Sequence, residues 1–343
     1  MSGGVDSSVS AALLKKAGYD VTGVFIKVWQ PDWIECNWRE ERLDAMRAAA
    51  HLDIPFVTLD LEKEYKQGVI DYMIAEYRAG RTPNPDVMCN REIKFGAFWK
   101  WAKGQGADYI ATGHYAQTKD GKLFMGADAN KDQSYFLWTL TPDDLKHVLF
   151  PVGHLIKPQV RKLAAKFGLP NAEKKDSQGL CFMGKIDVKE FLQHYIPAVP
   201  GKVLNEAGQE IGTHPGALLF TIGERRGFSV AHTTPNDAAY YVIGKDAEAN
   251  TITVSNRKDI AAESAGSARV KLSRTNWIGS EPHINHVFQG RVRYRQPLEN
   301  VRLISAQGNT AELEFEHAPE AVAPGQSFVA YDGERCLGGG IVE

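Results

Sequence analysis

Apolar residues follow two different rhythms along this chain. Toward the front, apolar runs of strand length alternate with stretches of helical spacing. Val21-Thr22-Gly23-Val24-Phe25-Ile26-Lys27-Val28 is almost continuously apolar, the pattern of a strand covered on both faces. Glu40 to Leu52 then places Leu43, Met46, Ala49 and Ala50 on one predicted helical face. Ile54-Pro55-Phe56-Val57-Thr58-Leu59 predicts the next strand, and Glu64 to Arg78 a helix whose core side carries Val69, Tyr72, Met73 and Tyr77. A helix over Phe95 to Lys103 leads to a short strand over Ala107 to Thr112. This alternation predicts an α/β unit built on a doubly wound parallel sheet, which binds ligands beyond the carboxyl ends of its strands. Ser2 to Ser8 and Thr112-Gly113-His114-Tyr115 both fall at such ends.

The rhythm then shortens. Lys119-Asp120-Gly121-Lys122 carries a hairpin signal, and Thr141-Pro142 and Lys157-Pro158 read as helix starts. Beyond Asp187 helical spacing thins out. Lys202-Val203-Leu204, Leu218-Leu219-Phe220, Tyr240 to Ile243 and Thr251 to Val254 predict short strands between Gly, Asp and Asn turns. A similar series runs from Val270 to Val342. Such punctuation predicts two small, mainly β modules of barrel type. The expected domains are 1–186, 187–260 and 261–343, with Ala261 to Ser267 as a linker.

Composition narrows the classes. A chain of 343 residues has room for two or three cores, and a net charge of −2 excludes a uniformly basic nucleic-acid coat while leaving room for local patches. No apolar run reaches membrane-spanning length and no signal peptide is evident. Cys36, Cys89, Cys181 and Cys336 are widely spaced, with no C-x-x-C pair and no histidine cluster. That spacing predicts no metal site and no secreted disulfide framework, so free thiols in the cytoplasm are expected.

Three stretches carry chemistry. Ser2-Gly3-Gly4-Val5-Asp6-Ser7-Ser8 is a glycine turn feeding a helix that Gly18 stops, with Asp6, Ser7 and Ser8 as expected caps. A helix N-terminus behind such a turn binds anions, phosphate above all, but the Gly-Lys-Ser/Thr ending of a Walker loop is missing. In Arg81 to Asn90, two prolines keep the chain extended, Asp86 is the expected helix cap, and Cys89 follows on the same side. The helix end lowers the thiol pKa while an ionised Asp86 opposes this; a buried, inert Cys89 is the competing reading. In Lys174 to Phe182, Cys181 follows a polar loop behind two lysines, an environment that favours thiolate, against a core cysteine between Leu180 and Phe182.

SGGVDSS resembles the pyrophosphate loop of ATP pyrophosphatases, which adenylate a substrate. Together with AGRTPNPDVMCNREIKFG (79–96), ATGHYA (111–116), NKDQSYFLW (130–138), KKDSQGLCF (174–182), TIGERRG (221–227), RVRYRQ (291–296), PGQSFVAYDG and CLGGG, the whole chain resembles the tRNA-specific 2-thiouridylases. That resemblance implies replacement of the wobble uridine 2-oxygen by sulfur, with ATP and Mg²⁺. Ser2, Gly3, Gly4, Val5, Asp6, Ser7 and Ser8 would hold the triphosphate, and Ile26 (Met in some relatives) and Gly113 the adenosine. It further implies Cys89 as nucleophile, Cys181 as persulfide carrier and Asp86 as general acid/base. Both direct attack by the persulfide and sulfide release through a transient Cys89–Cys181 disulfide fit these roles. The base pocket maps to Asn84, Pro85 and Asp86, and contacts to the anticodon region of tRNA map to His114, Lys131, Asp132, Gln133, Arg293, Tyr294 and Gln326.

A persulfide donor or relay protein is the second implied partner, and a monomer the expected state. Taken singly, Arg291 to Arg295 also fits an exposed amphipathic strand, and His114 a polar loop residue. Cys36 and Cys336 match no motif. Family members have a buried strand before the loop, whereas Met1 alone precedes Ser2; roughly 5–10 further native residues, one strand's length, are therefore expected. The competing functions are a ligase acting on another adenylated substrate and a non-catalytic tRNA-binding or sulfur-relay protein. The paired cysteine motifs weigh against the ligase.

Overall fold

The computed structural model describes residues 1–34, 38–176, 187–231, 238–257, 269–319 and 321–343. Cys181, the expected persulfide carrier, lies outside the described residues, as does Cys36. In chain order the first domain holds α1 (Val5–Lys16), β1 (Gly23–Lys27), α2 (Trp38–His51), β2 (Phe56–Asp60), α3 (Glu62–Tyr65) and α4 (Tyr72–Arg78). It continues with α5 (Pro85–Met88), α6 (Phe98–Gly104), β3 (Ile110–Ala111), β4 (Ala116–Lys119), β5 (Lys122–Met125), α7 (Pro142–Leu145), β6 (Val148–Leu149) and α8 (Lys157–Lys166).

β1 pairs in parallel with β2, from Gly23↔Phe56 to Lys27↔Asp60, and β3 pairs in parallel with β6, Ile110 opposite Val148. This is the parallel α/β arrangement read from the sequence, here as two pairs. α1 lies on α8, where Val5 and Val9 meet Val160, Ala164 and Leu169 in a buried cluster. α2 is turned differently from expectation: Ala45, Ala48 and Ala49 face inward while Leu43 and Met46 are 38% and 37% exposed. Alanine lets a helix approach the strands closely, and Arg42 Nε fixes the roll by donating to Thr58 Oγ1 at 2.7 Å.

Two helical runs wind wide in the middle. Lys66–Asp71 joins α3 to α4 and Cys89–Ala97 joins α5 to α6, each as a π-helix. Their apolar side packs against the second domain, with Val69, Ile70, Cys89 and Ile93 sharing one core with Phe191, Leu192, Val203 and Phe220. That second domain comprises α9 (Val188–Gln193), β7 (Gly201–Leu204), β8 (Glu210–His214), β9 (Ser229–Val230), β10 (Tyr241–Asp246) and β11 (Thr251–Ser255), in the sheet order β10-β11-β7-β8-β9. Leu218 to Phe220 is not the predicted strand. A 3₁₀ turn over Ala217–Leu219 stands there, its start held by Ala217 N donating to Asn250 Oδ1, and it drops Leu219 and Phe220 into the core.

The third domain is a closed barrel of β12 (Arg269–Trp277), β13 (Val287–Arg291), β14 (Glu299–Gln307), β15 (Thr310–Phe315), β16 (Ser327–Asp332) and β17 (Arg335–Val342). Closure comes from β12 pairing with both β15 and β17. The β4–β5 hairpin turns at Asp120-Gly121, both with positive φ (52° and 68°) as a tight two-residue turn requires. The hairpin then extends the barrel sheet, with Leu123 opposite Cys336 and Phe124 opposite Arg335. First and third domains are therefore joined by backbone ladder as well as by side chains. No described helix is long and apolar enough to cross a membrane.

Candidate active site

A cleft of about 1260 Å³ runs from the gap between β1 and β3, past the start of α1, to the helix that begins at Pro85. Ser2, Gly4, Val5, Asp6, Ser7, Ile26, Asp86, Asn90, Lys94, Gly113, His114, Lys131, Gln133 and Tyr294 are all among its lining residues. Residues of five motifs far apart in sequence thus line one cleft.

At the start of α1, Gly4 is the N-cap and no side chain caps the first turn. Asp6, Ser7 and Ser8 are not the expected caps. The Ser7 and Ser8 hydroxyls donate back to Gly4 O at 3.1 Å, inside the helix start. First-turn amides not taken up by a capping side chain, at the positive end of a helix dipole, suit an anion. Gly3 has φ +78°, and a Cβ there would lie 2.4 Å from Glu41 O, so only glycine makes this turn. Buried Asn171 holds the loop from beneath, its Nδ2 donating to Gly3 O (2.9 Å) and Ser8 Oγ (3.0 Å).

Asp6 is turned toward cations. Lys157 Nζ reaches its two oxygens at 2.7 and 2.9 Å, and Tyr115 Oη donates at 2.9 Å. Lys157 also bridges to Asp176, which binds Lys131 (2.6 Å) and Arg161 (2.8 Å) as well. Burial pushes the Asp176 carboxyl up, but the hydrogen bonds and charges of Lys131 and Lys157 outweigh it and hold the group at about 2. The loop has no cation of its own, and Lys157 supplies the countercharge to its carboxylate.

The cleft passes Gly113, whose added Cβ would lie 2.8 Å from both Asp6 C and Ser7 N. His114 follows, 7% exposed, with Nδ1 at 2.7 Å from Thr112 Oγ1 and Nε2 at 3.5 Å from Lys94 Nζ. Burial first, and then the Lys94 charge, hold its pKa well below 6.5, so the imidazole is neutral at pH 7. Lys94 must then be the donor to Nε2, which places the ring proton on Nδ1 toward Thr112.

At the far end Asn84, not Asp86, is the helix cap: its side chain accepts from Val87 N at 3.3 Å, with Pro85 in the first turn. Asp86 sits within that turn and lines the cleft. Cys89 does not reach it; the thiol is 0% exposed in the core shared with the second domain. Cys336 is equally buried, and burial pushes its thiol up to about 12. Among the described residues there is no disulfide.

The expected tRNA contacts divide. His114, Lys131, Gln133 and Tyr294 line the cleft. Asp132 is buried, accepting from Gly126 N, Ser134 N, Ser134 Oγ and Arg291. Arg293 donates to Ile222 O of the second domain, and Gln326 Nε2 to Thr82 O at 2.9 Å. Thr82 N in turn donates to Pro324 O at 2.7 Å, and Thr82 Oγ1 meets Thr221 Oγ1 at 3.1 Å. The second and third domains therefore both grip the strap that leads into Asn84 and Asp86. Sequence reasoning assigned no role to Asn90, Lys94, Tyr115, Lys157 or Asn171. Asn90 and Lys94 stand inside one of these motifs, and their spacing of four and eight from Asp86 was the available signal.

Among the described residues no group of three or more His, Cys, Asp or Glu side chains is placed to hold a metal ion. Asp6 is the loop carboxylate that lines the cleft, and Lys157 reaches both its oxygens.

Known proteins match the whole chain. Residues 1–185 match a family described as tRNA methyl transferase HUP domain, 189–256 a tRNA methyl transferase PRC-barrel domain, and 267–342 an aminomethyltransferase beta-barrel domain. The tRNA-specific 2-thiouridylase MnmA of Lacticaseibacillus paracasei is 46% identical over 352 residues, covering 100% of this chain and 93% of the relative. Proteins of the same name from Streptococcus thermophilus and Streptococcus mutans are 45% and 44% identical, each covering 100% of this chain and 94% of the relative. With the pyrophosphate-type loop, the closed barrel and this full-length identity in hand, the chain belongs to the tRNA-specific 2-thiouridylase family.

Proposed function

We propose that this protein is an ATP-dependent tRNA sulfurtransferase that replaces the 2-oxygen of the wobble uridine with sulfur. A uracil carbonyl oxygen is a poor leaving group. Transfer of AMP from ATP to that oxygen, with release of pyrophosphate, turns it into a phosphate-type leaving group. Ser2 to Ser8 at the start of α1 would hold the triphosphate, with Ile26 and Gly113 beside the adenosine. Bound magnesium would spread the phosphate charge. Asn84, Pro85 and Asp86 would receive the flipped base, with Asp86 moving the proton.

Cys181 would carry the sulfur as a persulfide from a donor or relay protein. In one route its terminal sulfur attacks C2 and AMP departs with the original oxygen. Cys89 then attacks the Cys181 sulfur, releasing the thiolated base and leaving a Cys89–Cys181 disulfide. In the other, Cys89 attacks first and frees hydrosulfide, which performs the substitution. Either way an external thiol must reduce the disulfide. Cys89 is buried here, so this chemistry requires its helix to turn. The π-helical stretch that begins at Cys89 is the less favourable helix form, which lowers the cost of rewinding.

The observation carrying this reading is the single cleft that joins the loop of α1 to Asp86, His114 and Lys131. Protein, unmodified tRNA, ATP–Mg²⁺ and a persulfide donor should yield 2-thiouridine, detected by nucleoside mass spectrometry, with tRNA-dependent pyrophosphate release. Cys89→Ala and Cys181→Ala should each abolish product while ATP still binds. Wild-type yield from either variant removes that residue's role, and no thiolated product from wild type refutes the reading.

A further inference from the structure

Asp86, Asn90 and Lys94 follow one another at steps of four and all line the cleft. Asn90 is 2% exposed. Its Nδ2 donates to Phe136 O at 3.1 Å, whereas its Oδ1 is buried with no hydrogen-bond partner. The Phe136 carbonyl only accepts, so the amide nitrogen must face it and the amide cannot flip without setting oxygen against oxygen. Asn90 therefore presents an acceptor of fixed direction. An unsatisfied buried acceptor is costly; Asn90 belongs to the cleft wall, and a ligand donor reaching its Oδ1 would satisfy it. Phe136 itself packs at a tilt against Tyr294, ring centroids 4.5 Å apart, so the carbonyl that orients Asn90 belongs to an aromatic pair that also lines the cleft.

Uracil and cytosine differ at this chemistry. Uracil carries a donor at N3 between two carbonyl oxygens, whereas cytosine has a bare acceptor there. We propose that Asn90 is a specificity-determining residue of this site, its Oδ1 accepting the N3–H of the target uracil and rejecting cytosine. The inference rests on the uridine-thiolating reading above and adds a base-reading contact next to Asp86. A cytosine N3 would face Oδ1 acceptor to acceptor, losing the bond and leaving two buried acceptors opposed. A site built on a substrate N–H discriminates strongly against analogues lacking it.

The test uses the full chain and anticodon stem-loop RNAs bearing uridine, cytidine or 3-deazauridine at the target position; the last replaces N3–H by C–H. Inhibition constants and uridine thiolation are measured for wild type, Asn90→Ala and Asn90→Leu, with urea denaturation confirming which variants fold. In wild type, exchanging uridine for 3-deazauridine should weaken binding about tenfold, the loss of one buried hydrogen bond. In either variant the same exchange should change it less than about twofold, because the acceptor is gone. Cytidine RNA should gain on uridine RNA by a similar factor. An equal uridine-to-3-deazauridine penalty in wild type and in whichever variant folds overturns the assignment. A purely structural role would weaken all three RNAs together and would also overturn it. Absence of uridine thiolation by wild type would instead refute the underlying function.

Discussion

Gly113 packs against the start of α1, and Gly113→Ala probes how closely the two must fit. The added Cβ would lie 2.8 Å from Asp6 C and Ser7 N and 3.0 Å from Asp6 Cβ, where ordinary contact begins at 3.4 Å. Backbone on either side must therefore move apart by about 0.6 Å, and neither side is the yielding end of a flexible side chain. Asn171 pins Gly3 and Ser8 from below, and Lys157 and Tyr115 hold Asp6. Overpacking of this kind costs roughly 1–3 kcal/mol. The displacement falls on the turn proposed to hold phosphate, where a 1 Å misplacement is worth up to ~10²-fold in rate. Isothermal titration with ATP and with adenosine, beside urea denaturation, separates the effects. The expected result is a folded variant less stable by roughly 1–3 kcal/mol, with ATP affinity lowered about tenfold or more. ATP affinity and stability both at wild-type values would show that the two segments do not abut, and the reasoning fails.

Asp132→Ala is expected to act on stability. It strands the Arg291 charge at a site where the pair is only 7% and 10% exposed, and breaking a buried pair from one side costs about 3–5 kcal/mol; a loss under about 1 kcal/mol in urea denaturation would contradict this. His114 titrates at lower pH in the folded protein than in the unfolded chain, so the unfolded state takes the proton first. Stability should therefore fall as pH drops through 6.5 toward the lowered folded value, at up to about 1.4 kcal/mol per pH unit from this group. His114→Gln should remove that slope, and superimposable stability–pH curves for the two proteins would refute it. Residues of β1 and β3, which belong to separate strand pairs, line the cleft of about 1260 Å³. A variant lengthened before Met1 by an apolar segment of roughly 5–10 residues should melt higher. The extension also removes an amine that burial has pushed down to about 5. An unchanged melting temperature would refute this.

Much of this protein was legible in one dimension. The α/β alternation, the hairpin at Asp120-Gly121, the Thr141-Pro142 helix start and the shift to short strands all follow from local periodicity and turn chemistry, which need no distant partner. Motifs far apart in sequence also announced the family. Which side a helix buries did not follow as surely: α2 turns its alanines inward and leaves Leu43 and Met46 outside, because close approach to the strands outweighed side-chain hydrophobicity. The hydrophobic run at Leu218 to Phe220 read as a strand but serves as a core plug, since burial alone does not specify backbone pairing.

Only the tertiary structure decided what each polar motif residue faces. Asp132 and Gln133 are adjacent in sequence, yet one closes a buried ion pair with the barrel and the other lines the cleft. Cys89 and Asn90 are likewise neighbours, one in the core and the other on the cleft. Residue type and spacing determine which chemistry a chain can assemble. The direction of each side chain depends on how neighbouring domains pack against the same helix, and that information resides in contacts between residues more than a hundred positions apart.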